Sequence, residues 1–551
     1  MVVLFLTLAQ IFVAALIIFF IIKLNRRLIH NKRRRIVFIT ILVVIGVLII
    51  SGSATVVYST KNLPKDYKSK AHSIVKIDPF EPINTDISKP YINELKEHPN
   101  KSGAILVRSG KMAFFHRIAL VRMAKHSIEL QTYIYENDPT SRLLMHEMKV
   151  AADRGVKVRI LVDDHGLSSD TDDIMTLNYH PNIHVKVFNP YKYRSKLLKY
   201  PQFLFNINRL NYRMHNKSFI VDDSAVIVGG RNIASNYFDD SSTMNFSDTD
   251  VLFIGKIAQD AKESFNKYWD YHKSIPVDVF PDKNSPEELD ELEKLKDFYK
   301  KAYKRKAEIY ENEIELFIKN FKERNFEIHW GGAKLIADNP TKAEGGHNVS
   351  PIIDALNGLW NETSKSIHIA AAYLVPGKEG SKNLIKSAKN GIDINILTNS
   401  LSSTDAKVVY AGWERYRNKF VKNNINVFEF RNEGYKVSNA HNSGASLHSK
   451  TIVVDDKISW IGSFNLDGRS AIYNTEIIVA FFNEDFAKIM RENMEEEMND
   501  YISWHLINDN NSVKWTTLRE GKRITKGHSP DTNIFLRGLL HLLRFIPEKL
   551  I

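Results

Sequence analysis

Two uncharged apolar runs open the chain, Met1–Ile22 and Ile36–Tyr58, each about the ~20 residues a helix needs to cross a bilayer. The pattern predicts two membrane spans. The first run lacks a basic leader and is long for a signal-peptide core, which argues against cleavage. Between the runs lie Lys23, Arg26, Arg27, Lys32, Arg33, Arg34 and Arg35. A basic loop there predicts a cytoplasmic hairpin, with everything after Tyr58 on the opposite face of the membrane. Lys61 to Pro99 is polar with scattered prolines and reads as a connector.

Periodic structure follows. Period-2 and period-3.6 stretches alternate: strand Gly103–Val107, helix Met112–Lys125, strand Ser127–Tyr135, helix Ser141–Arg154, strand Val156–Val162. The second half repeats the order with helix Pro351–Glu362, strand Ser366–Tyr373, helix Asn383–Lys389 and strand Ile392–Leu397. Such alternation predicts an α/β sandwich, a sheet covered by helices. Ala151–Asp163 lies over Ser387–Asn399 without a gap, Gly155 over Gly391. Glycine at that point predicts a left-handed helix C-terminus before the next strand.

Ser285–Glu323, dense in Glu, Lys and Tyr, predicts solvated helices that act as a spacer. Near the end, Ile534–Ile546 places Arg537, His541 and Arg544 on one helix face and apolar residues on the rest. That pattern predicts either an interfacial helix or a helix docked on the protein's own core. The expected division is therefore a two-span anchor at 1–60, a connector at 61–100, a lobe at 101–275, a charged helical linker at 276–330, a second lobe at 331–505 and a tail at 506–551.

Composition changes this picture in two respects. Lys and Arg number 76 against 64 Asp and Glu, a net charge of +12, which favours an anionic partner without choosing between nucleic acid, phospholipid and small phosphates. The chain has no cysteine, which excludes disulfides, thiolate metal sites and a Cys nucleophile.

The candidate chemistry is a duplicated motif, H-x-K-x4-D-x6-G-[G/S]-x-N. One copy places His215, Lys217, Asp222 and Asn232. The other places His448, Lys450, Asp455 and Asn465 in the same frame. Two matched copies are a specific signal. Each copy reads as a hairpin whose first strand, Met214–Val221 in the first half, projects His and Lys from one face. Asp222 and Asp455 fall at the turns and read as hairpin and salt-bridge residues. The small pairs Gly229-Gly230 and Gly462-Ser463 predict a close approach of backbone to a ligand.

Two His, two Lys and two Asn together suit a phosphodiester. The lysines and asparagines stabilise the charge of a pentavalent transition state, one imidazole attacks phosphorus, and the other serves as acid and then base. Each histidine needs a carboxylate on its far nitrogen. The candidates are Asp250 in the first half, with Asp248 its competitor, and Glu476 in the second. No metal-ligand set stands out, and the lysines supply the charge a cation would bring. No cofactor is expected.

These motifs resemble the phospholipase D superfamily, from about Ala104 to Tyr501. Leu397–Asp405 (LTNSLSSTD), Tyr410-Ala411-Gly412-Trp413 with Tyr416-Arg417, and the stretch Leu447–Glu476 with SFNLDGRS and NTE are similar to the bacterial cardiolipin synthases, type C branch. One departure is Gly468, where that pattern leads us to expect proline. The resemblance implies two tandem α/β sandwich lobes with pseudo-twofold symmetry, preceded by two transmembrane helices, and one active site to which a single chain supplies both motif copies. It implies a phosphohistidine on His215 and transfer of a phosphatidyl group to phosphatidylglycerol, the donor being phosphatidylglycerol or phosphatidylethanolamine. Thr398, Asn399, Ser400, Thr404 and Asp405 would line the acceptor side. The expected location is a bacterial inner membrane, with the catalytic region on the extracytoplasmic face. Hydrolysis of phospholipid uses the same residues. A nuclease is a further alternative; the two spans and the lack of a basic-aromatic stripe argue against nucleic acid. A non-catalytic scaffold for anionic lipid leaves both motif copies unexplained.

Overall fold

In the computed structural model, which describes residues 75, 77–167, 172–192, 202–203, 206–280, 304–345, 350–433 and 444–550, the first half contributes ten strands. They are β1 (Lys101–Val107), β2 (Ser127–Tyr135), β3 (Lys157–Leu167), β4 (Ile183–Phe188), β5 (Arg213–Met214), β6 (Ser218–Val221), β7 (Ala225–Gly229), β8 (Met244–Ser247), β9 (Asp250–Gly255) and β10 (Ser274–Pro276). The second half contributes β11 (His329–Ala337), β12 (Ser366–Ala371), β13 (Asp393–Asn399), β14 (Asn426–Phe430), β15 (Gly444–Leu447), β16 (Lys450–Val454), β17 (Ile458–Gly462), β18 (Asn474–Thr475), β19 (Ile477–Phe482) and β20 (Ser503–Asp509), followed by β21 (Ser512–Arg519) and β22 (Lys522–Lys526). The expected membrane spans and basic loop lie outside the described residues. Among those described, no helix is long and apolar enough to cross a membrane.

Residues Pro64–Tyr191 and Asn208–Ile551 form one unit, and it holds both motif copies. Its seam is the antiparallel pairing of β1 with β11, Ala104 opposite His329. Read outward from the seam, the first lobe runs β1-β9-β7-β6-β2-β3-β4-β10. The second runs β11-β19-β17-β16-β12-β13-β14-β20, extended by β21 and β22. The strand order is thus repeated, as the duplicated sequence predicts.

Helices cover the sheet where the apolar period requires. Helix Lys256–Trp269 buries Ile257, Ala258, Ala261, Phe265, Tyr268 and Trp269, a stripe at helical spacing. Its counterpart Glu484–Glu497 buries Phe486, Ala487, Met490 and Met494. Both belong to one core shared by the lobes, where Phe253 meets Phe481 edge-on at 5.6 Å. Gly155 and Gly391 adopt φ of 97° and 88°. At each, the next residue's N–H reaches back five positions, Val156 to Ala151 and Ile392 to Ser387, the helix ending expected of glycine there.

Two expectations are corrected. The linker forms a helix over Lys304–Lys322, but it is not a solvated spacer. Tyr310, Ile314, Phe317 and Phe321 are buried, a stripe at i, i+4, i+7 and i+11 that the charged composition conceals. Tyr310 packs on Phe115 and Phe317 on His116 of helix Gly110–Met123, and Arg122 joins Glu147 and Glu311, each at 2.7 Å. The tail, in which only the helix Ile534–Ile546 was expected, first adds β21 and β22. Helix Ile534–Leu543 then packs Leu536, Leu540 and Leu543 on the second lobe's core. Arg544 is held by Glu414 at 2.9 Å, while Phe535 and Phe545 are 84% and 85% exposed. Ile534, Phe535, Leu539, Leu542 and Phe545 make the outward surface largely apolar, with Arg544 also exposed on it.

Candidate active site

Neither catalytic-motif histidine sits within a ladder. β5 ends at Met214 and β6 begins at Ser218; β15 ends at Leu447 and β16 begins at Lys450. The single strand expected over Met214–Val221 is split because the chain changes partners there. Before His215 it pairs in parallel with the other lobe, Met214 opposite Thr475; after Lys217 it joins its own sheet, Ser218 opposite Val228. Likewise β15 pairs in parallel with β8, Leu447 opposite Ser247. The next residue in each register is a histidine facing a carboxylate. The His215 N–H donates to the Thr475 carbonyl at 2.9 Å and the His448 N–H to the Ser247 carbonyl at 2.6 Å.

The carboxylates are therefore exchanged between lobes. His215 Nδ1 lies 3.0 and 2.8 Å from Glu476 Oε1 and Oε2, and His448 Nδ1 lies 2.7 Å from Asp248 Oδ2. Binding Nδ1 leaves Nε2 as the nitrogen for chemistry. Asp250, expected to orient a histidine, does not. It accepts from Arg117 at 2.9 Å and lies 3.5 Å from Arg231, a buried ion pair under the site. Its neighbour two positions back takes the role because Asp250 already belongs to β9, opposite Gly229.

The small motif pairs serve these carboxylates. A Cβ on Gly230 would lie 2.3 Å from Asp248 Oδ1, and one on Gly229 would lie 2.0 Å from Asp250 Oδ1. In the second copy the Ser463 hydroxyl donates to Glu476, and Ser470 adds a second bond at 2.9 Å. The close approach predicted for a ligand is thus made by the protein itself.

Asp222 and Asp455 bind backbone. Asp222 accepts from the N–H groups of Lys125, His126 and Ser127 at 2.7–2.9 Å. Asp455 accepts from those of Ser364, Lys365 and Ser366 at 2.7–2.9 Å. Each fastens the hairpin turn to the start of the neighbouring strand, and the turns place Asp222, Asp223, Asp455 and Asp456 at φ of 50–56°, which Asp tolerates. Their expected salt bridges are absent among the described residues; three convergent amides satisfy the carboxylate instead.

Lys217 Nζ donates to its own histidine's carbonyl at 2.9 Å. Lys450 Nζ donates to the His448 carbonyl and sits 3.1 Å from Nδ1. The asparagines differ. Asn232 is occupied, its amide donating to the Tyr237 hydroxyl at 2.8 Å and accepting from the Ile134 N–H at 3.1 Å. Asn465 is 3% exposed, and its Oδ1 has no partner among the described residues.

Electrostatics follow from burial. Burial pushes His215 down to about 4, opposed by Glu476 and aided by Lys217; His448 is lowered by burial and by Lys450. Burial also brings Lys217 down to about 7 and lowers Lys450. Burial would raise the carboxylates, yet the histidines they bind, and after them Lys217 beside Glu476 and Lys450 beside Asp248, hold Glu476 below its usual value and Asp248 at about 2. At neutral pH the site holds neutral imidazoles on ionised carboxylates, beside ammonium groups whose charge is costly. That environment favours an incoming anion.

Of the expected acceptor loop, Asn399 and Ser400 turn inward. Asn399 accepts the Leu447 N–H at 2.9 Å and donates to the Leu447 carbonyl at 2.8 Å, and the Ser400 hydroxyl bonds Ser402 and Ser403. Thr398 is buried in β13, and Thr404 accepts the Ala406 N–H at 3.1 Å. Asp405 accepts from the Tyr373 hydroxyl at 2.8 Å and helps hold the charge of Lys450.

Residues not singled out from sequence complete the site. Tyr133 stands edge-on to His215 and Tyr237 to His448, each at 5.0 Å. Asp163 takes in the first lobe the place of Asn399, accepting the Met214 N–H at 2.8 Å and binding Arg213 at 3.1 Å. The ungapped overlay of Ala151–Asp163 on Ser387–Asn399 already contained that correspondence. Among the described residues no group of three or more His, Asp or Glu is placed to hold a metal ion.

Comparison with known proteins agrees with this arrangement. Residues 118–269 and 356–498 match the family model described as cardiolipin synthase, phospholipase D-like domain. An uncharacterised protein of Helicobacter pylori is 44% identical over 473 residues, covering 85% of this chain and 93% of its own. Cardiolipin synthase C of Escherichia coli is 34% identical over 464 residues, 82% of this chain and 97% of its own. The crystal structure of phosphatidylserine synthase from Haemophilus influenzae superposes with a TM-score of 0.53 over 83% of this chain and 96% of that one, at 13% identity, a likeness of fold. With the family's domain matched twice, once around each motif histidine, the chain belongs to the cardiolipin synthase family of phospholipase D-like proteins.

Proposed function

We propose that the chain is a membrane-bound phosphatidyltransferase that makes cardiolipin. The observation that carries this reading is the exchanged pair of carboxylates, which gives each histidine an oriented Nε2 and makes one site from two lobes. Family membership supports phospholipid as the substrate class.

In the first step His215 Nε2 attacks the phosphorus of a phospholipid. A P–N bond forms, the P–O bond to the headgroup breaks, and the departing oxygen takes a proton from His448 Nε2. Burial and Lys450 lower the proton affinity of His448 in the free site; the bound phosphate anion offsets that charge, and Asp248 stabilises the imidazolium. Lys217, Lys450 and Asn465 carry the charge on the nonbridging oxygens. In the second step His448 takes the proton from a glycerol hydroxyl of phosphatidylglycerol, whose oxygen displaces His215 from phosphorus. The product is cardiolipin. His215 as the nucleophile follows the order usual in the superfamily. Two leading spans would tether the site to a bacterial inner membrane, with the catalytic unit on the extracytoplasmic side.

Mass spectrometry of lipids after incubating the full chain in phosphatidylglycerol vesicles, with and without phosphatidylethanolamine, tests the reading. Cardiolipin with release of glycerol supports transfer from phosphatidylglycerol; release of ethanolamine identifies the other donor. Phosphatidic acid without cardiolipin assigns hydrolysis, and no lipid product at all refutes the enzymatic reading.

A further inference from the structure

A groove of about 450 Å3 opens in the second lobe between helices Pro351–Glu362 and Gly377–Lys389, the segment Phe464–Ile472 and the tail at Glu548–Lys549. Its volume falls within the roughly 300–1,000 Å3 typical of small-molecule sites. Ile353, Leu356, Trp360, Val375, Leu384 and Phe464 make its walls apolar, while Asn357 and Glu379 lie exposed at the rim. The two carboxylates set in its walls, Asp467 and Glu548, are already engaged. Asp467 accepts the Ser470 N–H at 2.7 Å, and burial raises its pKa to about 7; Glu548 is bound by Arg415 at 3.0 Å and by Tyr416 at 2.5 Å. An apolar slot with a polar rim selects hydrocarbon.

The groove adjoins the catalytic residues directly. Phe464 and Leu466 flank Asn465, and Leu466 is clipped to the opposite wall by the Val375 N–H at 2.7 Å. Ser470, next to the wall residue Ala471, binds Glu476. The tail forms the remaining wall. A Cβ on Gly468 would lie 2.7 Å from the Glu548 carbonyl oxygen, so glycine, where proline was expected, lets the tail close against the motif. Five residues before Glu548 ends the helix whose Phe535 and Leu542 are 84% and 68% exposed, and Phe545 continues that apolar surface. The chain thus leads from an apolar outer face to the groove within a few residues.

We propose, resting on the transferase reading above, that this groove holds an acyl chain of the phospholipid bound at His215 and His448. The chain enters beside the tail and lies along Trp360 and Leu384, with the glycerol phosphate at Asn465. The groove fixes where along the lipid the site engages and makes turnover sensitive to acyl length.

The test uses the full-length protein in vesicles of phosphatidylglycerol carrying a photoreactive diazirine at mid-chain, with labelled peptides mapped by mass spectrometry. Labels within 351–362, 377–389 or 464–472 are expected; labels confined to other segments overturn the proposal. Labelling needs no turnover, so it reads the groove even if no cardiolipin forms, a result that counts against the transferase reading alone. In active protein, Asn383→Trp, which fills the edge of the groove, should lower the ratio of dioleoyl to dihexanoyl phosphatidylglycerol turnover at least fivefold. An unchanged ratio overturns the proposal.

Discussion

Glu476 of the second lobe holds Nδ1 of His215 in the first at 2.8 Å, on a parallel ribbon that places Thr475 opposite Met214. Each histidine therefore depends on the other half of the chain for its orientation. Glu476→Gln should keep the fold and lower turnover by about 10²–10⁴, the range lost when a positioned acid-base group is disabled. Asp248→Asn should do the same through His448. Lipid turnover measured beside thermal unfolding checks this: a loss of activity matched by a loss of folded protein would contradict an orienting role.

Asp250 separates position from function. It lies two residues from Asp248 but accepts from buried Arg117, and removing one partner of a buried ion pair costs about 3–5 kcal/mol. Asp250→Ala should appear first as a lower unfolding midpoint, with the folded fraction retaining turnover. Normal stability with abolished turnover would return Asp250 to the catalytic set.

The two motif aspartates should differ in stability. Asp222 is wholly buried, so Asp222→Ala leaves amides without water, at about 1–3 kcal/mol for an unsatisfied buried donor. Asp455 is itself only half-buried and two of its three donors, Ser364 and Lys365, are exposed, so water can replace it. Denaturant unfolding should show the larger loss for Asp222→Ala; equal losses would contradict this.

The nucleophile must be neutral, and His215 lies near 4 instead of 6.5, so kcat/KM should fall on the acid side only as pH drops toward about 4. His448 must supply a proton and is lowered by burial and Lys450, and Lys217 must be charged and lies near 7, so kcat/KM should decline as pH rises toward and through about 7. These limbs belong to the coupled cluster, not to single residues. An acid limb centred at 6.5 would contradict the burial effect.

The apolar outer face of helix Ile534–Leu543 predicts lipid contact. Burying a Phe side chain contributes about 1.5–3 kcal/mol, so Phe535→Glu with Phe545→Glu should weaken the tail's grip on vesicles at least tenfold. Flotation of a protein lacking residues 1–60 reads this; unaltered flotation would refute it.

Much of this was legible in the sequence. The duplicated motif placed both histidines and lysines, and the overlay of 151–163 on 387–399 implied the repeated lobe. Glu476 and Asp248 stand 28 and 33 residues after the histidine of their own lobe, so the motif's frame does not align NTE with FSD and the match stays hidden without a five-residue gap. Asp250 competed because a carboxylate before an apolar strand looks alike whether it faces a histidine or an arginine beneath it. Exchange between lobes was hidden for a deeper reason: a two-residue parallel ribbon such as Met214 with Thr475 has no periodicity to read. The linker's stripe, Tyr310 to Phe321, was masked by the Glu and Lys around it.

One site built from two histidines with distinct tasks is tested most directly by trapping the covalent intermediate. Acid-quenched protein given phosphatidylglycerol labelled in its phosphate and acyl chains should carry both labels on His215. His448→Ala should carry little or none, and His215→Ala should make no cardiolipin. Label on His448 would exchange the two roles. Full cardiolipin synthesis by either histidine variant would contradict the account.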